Sequence, residues 1–259
     1  MTTEILQRRE EGVLTLTFNR LERKNSITAA MYGVLADALQ QAAGDSAIRA
    51  AVIQGHETVF CAGNDIGDFR NSKTAGPDAP APGQAGRFMR AAAAFPKPLL
   101  AAVCGHAVGI GVTMLFHCDL VYAGDNAVFS MPFVNLGLCP ENASSLLAPR
   151  LFGYHRAAEA LLLGEPFSAE AAREVGLVNR VVPPPECNAL AQEQARKLAS
   201  KPSSSLMTTK KLMKSGQQQD VLRRMDEEGA HFARLLGEPA AREAMTAFVQ
   251  KRKPDFSQF

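Results

Sequence analysis

Two short glycine-containing turns, each set behind an apolar stretch, constrain the fold of this chain more than any other feature. The first is Phe60-Cys61-Ala62-Gly63-Asn64-Asp65-Ile66. The second is Gly105-His106-Ala107-Val108-Gly109-Ile110-Gly111. Each can end a strand and open a helix, which leaves free backbone N–H groups at a positive helix end. Two such turns could converge on one point, as an oxyanion hole requires. Each also reads as a tight connection and nothing more, the plainer use of such spacing. A phosphate loop fits less well, because Gly105-x-x-x-Gly109-x-Gly111 matches neither G-x-G-x-x-G nor the P-loop with its Gly-Lys-Ser/Thr.

The surrounding pattern places these turns in an α/β chain. Residues 4–9 and 13–18 read as a hairpin around Glu10-Glu11-Gly12. Thr28 is positioned to cap a helix through Met31, Leu35 and Leu39, ended by Gly44. Residues 50–54 and 99–103 are short apolar strands. Further strands are expected at 120–122, 128–129 and 177–182, and a helix from the second turn to Phe116. Residues 71–86, rich in Pro, Gly and Ala, read as a surface loop. Pro183-Pro184-Pro185 marks a break. Strands alternating with crossover helices indicate a mainly parallel core. We expect a catalytic core over residues 1–200 and a helical layer over 201–259.

Composition excludes several function classes. The 259 residues carry 28 Lys+Arg against 26 Asp+Glu, a net charge of +2, so there is no basic nucleic-acid footprint. The apolar run 98–112 is interrupted by Gly105, His106 and Gly109 and is too short to span a bilayer. The N-terminus lacks an apolar signal-peptide core, and the chain does not end in Ser-Lys-Leu. A cytoplasmic protein with no membrane partner is expected. The five cysteines form no C-x-x-C pair, so neither zinc nor a disulfide framework is expected. His117-Cys118-Asp119 is a weak ligand set, because adjacent helical side chains diverge. No metal is expected.

The motifs carry a family resemblance over nearly the whole chain. The run Lys97-Pro98 through Gly111, followed by Cys118-Asp119, resembles the signature of the crotonase (enoyl-CoA hydratase/isomerase) superfamily. So do Phe60-Cys61-Ala62-Gly63-Asn64-Asp65, Asn19-Arg20…Lys24-Asn25-Ser26, Phe129…Pro132, Leu136-Gly137 and Gly176-Leu177-Val178. The resemblance implies a spiral of β-β-α units with C-terminal trimerisation helices, assembled as a homotrimer or a dimer of trimers. It implies an acyl-CoA substrate, with coenzyme A as part of that substrate and no other cofactor. The thioester oxygen would be held by the backbone N–H groups of Asn64 and Ile110. Removing an α-proton from a thioester gathers charge on that oxygen, and fixed donors there lower the barrier.

One departure from the family pattern narrows the reaction. The hydratases of this family use two glutamates, and the corresponding positions here hold Thr113 and Phe133. Neither can activate water. One acid remains nearby, Glu141, in Leu136-Gly137-Leu138-Cys139-Pro140-Glu141-Asn142-Ala143-Ser144-Ser145. This segment resembles the L-G-x-x-P-E-x-x-S-S segment of the Δ3,Δ2-enoyl-CoA isomerases. In that branch a single carboxylate takes a proton from C2 and returns one at C4. Phe133 would exclude water and raise the Glu141 pKa. Read without the resemblance, Glu141 or Asn142 is a charge or cap at the start of a helix over 145–151.

The resemblance also places Lys24, with Arg23, beside the CoA adenine and 3′-phosphate. It gives Ala62, Asp65 and Ile66 backbone contacts to the adenine and pantetheine, and Lys251 a reach toward a CoA phosphate. Read plainly, Lys24 and Lys251 are solvated charges, Asp119 ends a strand and His106 serves through its backbone. Three other readings stay open. One is an enoyl-CoA hydratase or another acyl-CoA reaction of the family. A nucleophilic, dehalogenase-like use of residue 141 is the second, against which stands the absence of Trp. The third is a non-catalytic acyl-CoA-binding or partner-binding module.

Overall fold

A computed structural model describes residues 3–65, 67 and 83–259. The expected hairpin forms: strands β1 (Ile5–Glu10) and β2 (Val13–Phe18) pair antiparallel, with Ile5 opposite Phe18. Helix α1 (Ala29–Gly44) starts where expected, the Thr28 hydroxyl accepting from the Met31 N–H at 3.3 Å.

From there the chain repeats one step. Strand β3 (Ala50–Gln54) is followed after a sharp turn by β4 (Val59–Cys61), and helix α2 (Gln84–Ala94) leads onward. Strand β5 (Leu99–Val103) is followed by β6 (His106–Val108), then the short helix α3 (Ile110–Thr113). Strand β7 (Leu120–Gly124) is followed by β8 (Val128–Ser130). The first strand of each pair enters one sheet and the second enters another. The result is a six-stranded sheet, β1-β2-β3-β5-β7-β10, and a four-stranded sheet, β4-β6-β8-β9. Strand β9 is Phe167–Ser168 and β10 is Arg180–Val182. All pairings are parallel except β1–β2 and β8–β9. This is the expected α/β spiral of β-β-α units.

Gly105 makes the β5–β6 step possible. Its φ is +62°, and a Cβ there would lie 1.9 Å from the Thr58 carbonyl oxygen, so no other residue fits the close approach.

The larger sheet is covered on both faces, which is why its strands read as continuous apolar runs. Leu14, Leu16, Ile53, Leu99 and Ala101 face the main core. Val13, Val52, Leu100 and Ala102 face the opposite side. There they meet Cys187, Ala191, Ala195 and Ala199, one turn apart on the helix Pro184–Ala199. That helix begins at Pro184, so the proline run is a helix start as well as a break, since proline suits the first helical turn.

Four expectations are corrected. Helix α2 begins at Gln84, inside the residues read as the 71–86 loop; the rest of that loop up to 82, and Ile66, lie outside the described residues. The second glycine turn contains strand β6, so it is a strand bracketed by two positive-φ glycines, Gly105 and Gly109. The strand expected over 177–182 is confined to Arg180–Val182. The helix expected from 145 is Ser144–Phe152, here α4, and its N-terminus is Ala143 with no capping side chain of its own. Neither Glu141 nor Asn142 is a cap.

The later helices are α5 (Tyr154–Ala158), α6 (Ala169–Glu174), α7 (Pro184–Ala199), α8 (Ser203–Lys214), α9 (Gln218–Leu236) and α10 (Pro239–Val249). Val221 and Met225 of α9 pack with Leu147 of α4. Helix α9 is therefore joined to α4 beside the Glu141 segment. No described helix is long and apolar enough to cross a membrane.

Candidate active site

The two glycine turns lie side by side because β4 and β6 pair in parallel, with Cys61 opposite Ala107. Their backbones nearly touch. A Cβ on Gly63 (φ +93°) would lie 3.2 Å from the Val108 carbonyl oxygen, and one on Gly111 would lie 2.8 Å from the Cys61 carbonyl oxygen. Glycine at these places lets two strand ends deliver N–H groups to one locality. Around Asn64 the neighbouring amides are engaged: Ile27 N–H donates to Gly63 at 2.8 Å and Asp65 N–H to Ile27 at 2.9 Å. Around Ile110, Gly109 N–H donates to Ser130, and Val112 and Thr113 N–H donate to Gly109. Among the described residues, the Asn64 and Ile110 N–H groups donate to no backbone carbonyl. Ile110 opens helix α3, where amides lack an intrahelical partner.

The loop bearing Lys24 is stitched to the first turn. Ala62 N–H donates to the Lys24 carbonyl at 3.0 Å. Asn25, buried at φ +56°, donates to the Val59 and Phe60 carbonyls and accepts from Arg20 N–H. The Asp65 carboxylate accepts from Arg20 at 2.7 Å and from Ser26 at 3.2 Å. The Ala62 and Asp65 amides are thus committed within the chain, and any backbone contact they make to a ligand runs through their carbonyls. Lys24 itself is exposed. Lys251 is also exposed, past the end of α10, and no described contact joins it to the two turns. His106 is exposed on β6.

Phe133 is buried, and a Cβ on Gly109 would come within 3.9 Å of its ring. Thr113 is fully buried on α3 with its hydroxyl unpartnered. Glu141 is the distinctive group. Its residue is 9% exposed and its Oε1 is buried without a hydrogen-bond partner. Burial, and then the negative charge of Glu228, push its carboxyl up to about 8. The Glu141 charge in turn contributes to raising the buried Tyr32 phenol well above its usual range and the Cys61 thiol to about 12, with burial the larger cause in both. Tyr32 sits on α1, and its hydroxyl donates to Asn64 Oδ1. The same phenol thus bonds to the first turn and feels the charge of the acid.

The segment carrying Glu141 is held from several sides. Asn142 and Ala143 both have left-handed backbones, φ +63° and +58°. Ser144 donates to the Glu141 carbonyl from its N–H (3.1 Å) and its hydroxyl (2.6 Å). His117 Nε2–H donates to the Asn142 carbonyl at 2.9 Å, and burial holds that imidazole neutral, down to about 4. His117 is thus a structural donor to the Glu141 segment; among the described residues no group of three or more His, Cys, Asp or Glu is placed to hold a metal ion. Asp119 is structural, but it ends no strand: it lies just before β7 and accepts from Leu99 N–H at 2.8 Å.

Tyr32, His117 and Glu228 were not legible as site residues. Each acts on a partner distant in sequence. The one usable signal was negative: Ala143 at the start of α4 offers no side-chain acceptor, so a remote one is required.

Comparison with known proteins gives the family. The sequence profile of the enoyl-CoA hydratase/isomerase family matches residues 8–259. The chain belongs to that family. It is 38% identical over 258 residues to the 1,2-epoxyphenylacetyl-CoA isomerase of Escherichia coli, covering 98% of both proteins. It is 34% identical over 252 residues to enoyl-CoA delta isomerase 2 of Rattus norvegicus, spanning 96% of this chain and 64% of that one. Among solved structures, an enoyl-CoA hydratase/isomerase from Pseudoalteromonas atlantica superposes with a TM-score of 0.93 at 36% identity, covering 98% of this chain and 100% of that one. As a member of the family, the protein is an acyl-CoA enzyme of the hydratase/isomerase group. The crotonase resemblance is correct.

Proposed function

We propose that the protein moves the double bond of a 3-enoyl-CoA to the 2-position, with Glu141 as its single acid-base group. The observation that carries this reading is the Glu141 carboxyl: buried, with an unpartnered oxygen and raised to about 8, while Thr113 and Phe133 occupy the places where a hydratase needs carboxylates. A base poised near the working pH suits proton transfer from carbon.

The thioester oxygen accepts from the N–H groups of Asn64 and Ile110. Glu141 takes the C2 proton, and the C–H electron pair becomes the enolate, conjugated with the C3–C4 double bond. The same carboxyl then returns the proton to C4 as the carbonyl reforms and the new double bond settles between C2 and C3. Protons and electrons balance within the ester and Glu141, so no further cofactor is required. Lys24 and Lys251 serve the CoA phosphates, Ala62, Asp65 and Ile66 border the adenine and pantetheine, and Phe133 keeps water from the dienolate. The 201–259 layer, with Leu212, Met213, Phe248 and Val249 exposed, is the assembly surface of a trimer or a dimer of trimers.

One observation favours a second reading. The Escherichia coli relative that this chain matches over nearly its full length isomerises 1,2-epoxyphenylacetyl-CoA, so the bond that shifts could lie in an oxygenated ring. The test follows 3-enoyl-CoA, 2-enoyl-CoA and the epoxide ester side by side. Isomerisation of 3-enoyl-CoA should dominate, and Glu141→Gln should lose about 10²- to 10⁴-fold in kcat while still binding the ester. Hydration faster than isomerisation, or undiminished turnover by the variant, overturns the reading.

A further inference from the structure

Beneath Glu141 lies a second buried carboxylate. Glu228 is 5% exposed on α9. One oxygen accepts from Ala143 N–H at 2.6 Å and the other from Ser145 N–H at 2.9 Å. These amides open α4, two and four residues past Glu141. Ser145 N–H is a donor that a local Ser, Thr, Asn or Asp cap ordinarily satisfies, and Ala143 N–H, at the cap position itself, is one that a capping-box Glu or Gln ordinarily takes; here the acceptor for both comes from a different helix, more than eighty residues away. Arg224, one turn earlier on α9, donates to the Ser145 hydroxyl at 3.0 Å and keeps a positive charge beside Glu228.

We propose that Glu228 is a positioning residue for Glu141: its carboxylate clamps the Ala143 and Ser145 amides, fixes the left-handed turn that aims the Glu141 carboxyl into the site, and places a negative charge beside it. The proposal rests on Glu141 being the acid-base group.

The geometry explains why a charge, and no neutral cap, stands here. Two consecutive left-handed residues, Asn142 and Ala143, are strained for L side chains and persist only where surroundings over-determine them. His117 holds the Asn142 carbonyl on one side, and Glu228 holds the Ala143 amide on the other. Burial pushes the Glu228 carboxyl up, while the Ser145 and Ala143 hydrogen bonds and the Arg224 charge oppose that shift and favour its charged form. Its charge then disfavours ionisation of Glu141.

The remaining titratable groups facing this pocket are quiet over the useful range. Tyr32 from α1 stands well above its usual range, Cys61 beside the first turn is raised to about 12, and Cys139 to about 11, burial being the first cause in each. His117 is held neutral by burial. Among the described residues of this pocket, Glu141 is thus the group placed to exchange protons near neutral pH.

Two substitutions separate charge from reach. Glu228→Gln removes the charge and keeps the length. Glu228→Asp keeps the charge but is one methylene too short to span both amides. Glu141 ionisation is read directly by carboxyl-region infrared titration, as the difference between each protein and its Glu141→Gln counterpart. With 3-enoyl-CoA as substrate, Glu228→Gln should lower kcat about tenfold with KM within about twofold. Its Glu141 titration should move to lower pH by roughly half a unit or more. Glu228→Asp should lose kcat comparably while the titration stays in place. Unchanged titration in Glu228→Gln, even with lost thermal stability, would reduce Glu228 to a helix cap and overturn the proposal. Wild-type kcat in Glu228→Asp would overturn the positioning role. If the wild-type protein isomerises no 3-enoyl-CoA, the functional reading falls by itself, and the infrared titration still decides the role of Glu228.

Discussion

The Tyr32 hydroxyl donates to Asn64 Oδ1 at 2.5 Å, joining helix α1 to the first glycine turn across 32 residues of chain. Tyr32 is 3% exposed and its ring lies 5.8 Å from that of Phe88 on α2. The phenol thus fixes the side chain of the residue whose backbone N–H we assign to the thioester oxygen. Tyr32→Phe keeps the ring and strips the bond, leaving a buried amide oxygen unsatisfied at a cost of about 1–3 kcal/mol. Calorimetry should show that loss. Steady-state assay should show kcat down about tenfold from the loosened turn, with KM little changed. A variant with wild-type kcat would mean that the tie is irrelevant to catalysis.

Because burial and Glu228 hold Glu141 up to about 8, only about a tenth of the base is ionised at pH 7. The isomerase kcat/KM should therefore climb roughly tenfold per pH unit from pH 6 and level off above 8. A pH profile with its acidic limb near 4.5, the ordinary glutamate value, would contradict the burial described here.

The same shift bears on stability. A glutamate whose folded pKa lies above its unfolded value binds more protons folded than unfolded, so its contribution is full below about 4.5 and is lost as pH rises to about 8. The difference in unfolding free energy between the wild-type protein and Glu141→Gln should change by a few kcal/mol, on the order of the shift itself, between pH 5 and 8. Denaturant melts across that range measure it. A constant difference would show that Glu141 is solvated.

Spacing between the turns can be tested without touching a polar group. Gly111 does not have a left-handed backbone, but its Cβ would meet the Cys61 carbonyl oxygen at 2.8 Å and Cys61 Cβ at 3.2 Å. Gly111→Ala must push the two turns apart. Overpacking of this kind costs about 1–3 kcal/mol, whereas misplacing one donor should cost kcat/KM up to about a hundredfold. Activity falling no more than stability would argue that the turns do not act together.

What the sequence disclosed follows the range of each interaction. The Thr28 cap, the β1–β2 hairpin and the strands at 50–54 and 99–103 rest on contacts within a few residues or on runs of apolar side chains. Strand β6 was hidden because it is three residues long and owes its form to β4 and β8 on either side. Glu141 was visible only through resemblance; by itself it read as a helix charge, and the actual cap was an acid on α9. Residues that complete a site across the fold leave no local periodicity, so Tyr32, His117 and Glu228 emerge only with the structure.

The C-terminal layer offers a stability test that should leave chemistry alone. Lys210 of α8 is 7% exposed; its Nζ donates to Asp119 Oδ2 at 2.6 Å and to the Lys97 carbonyl at 2.7 Å. Burial lowers its pKa, and the Asp119 charge opposes that shift. Removing one partner of a buried pair strands the other charge, so Lys210→Met should cost about 3 kcal/mol. Asp119 also accepts from Leu99 N–H at the head of β5, a bond that Asp119→Asn can keep through its amide oxygen. The double variant should therefore recover part of the loss, and a double-mutant cycle should give a coupling of about 1–3 kcal/mol. No described contact joins Lys210 to the two turns or to Glu141, so kcat should stay within about twofold while stability falls. A kcat that falls with stability, or a cycle without coupling, would show that α8 is tied to the core by something other than this pair.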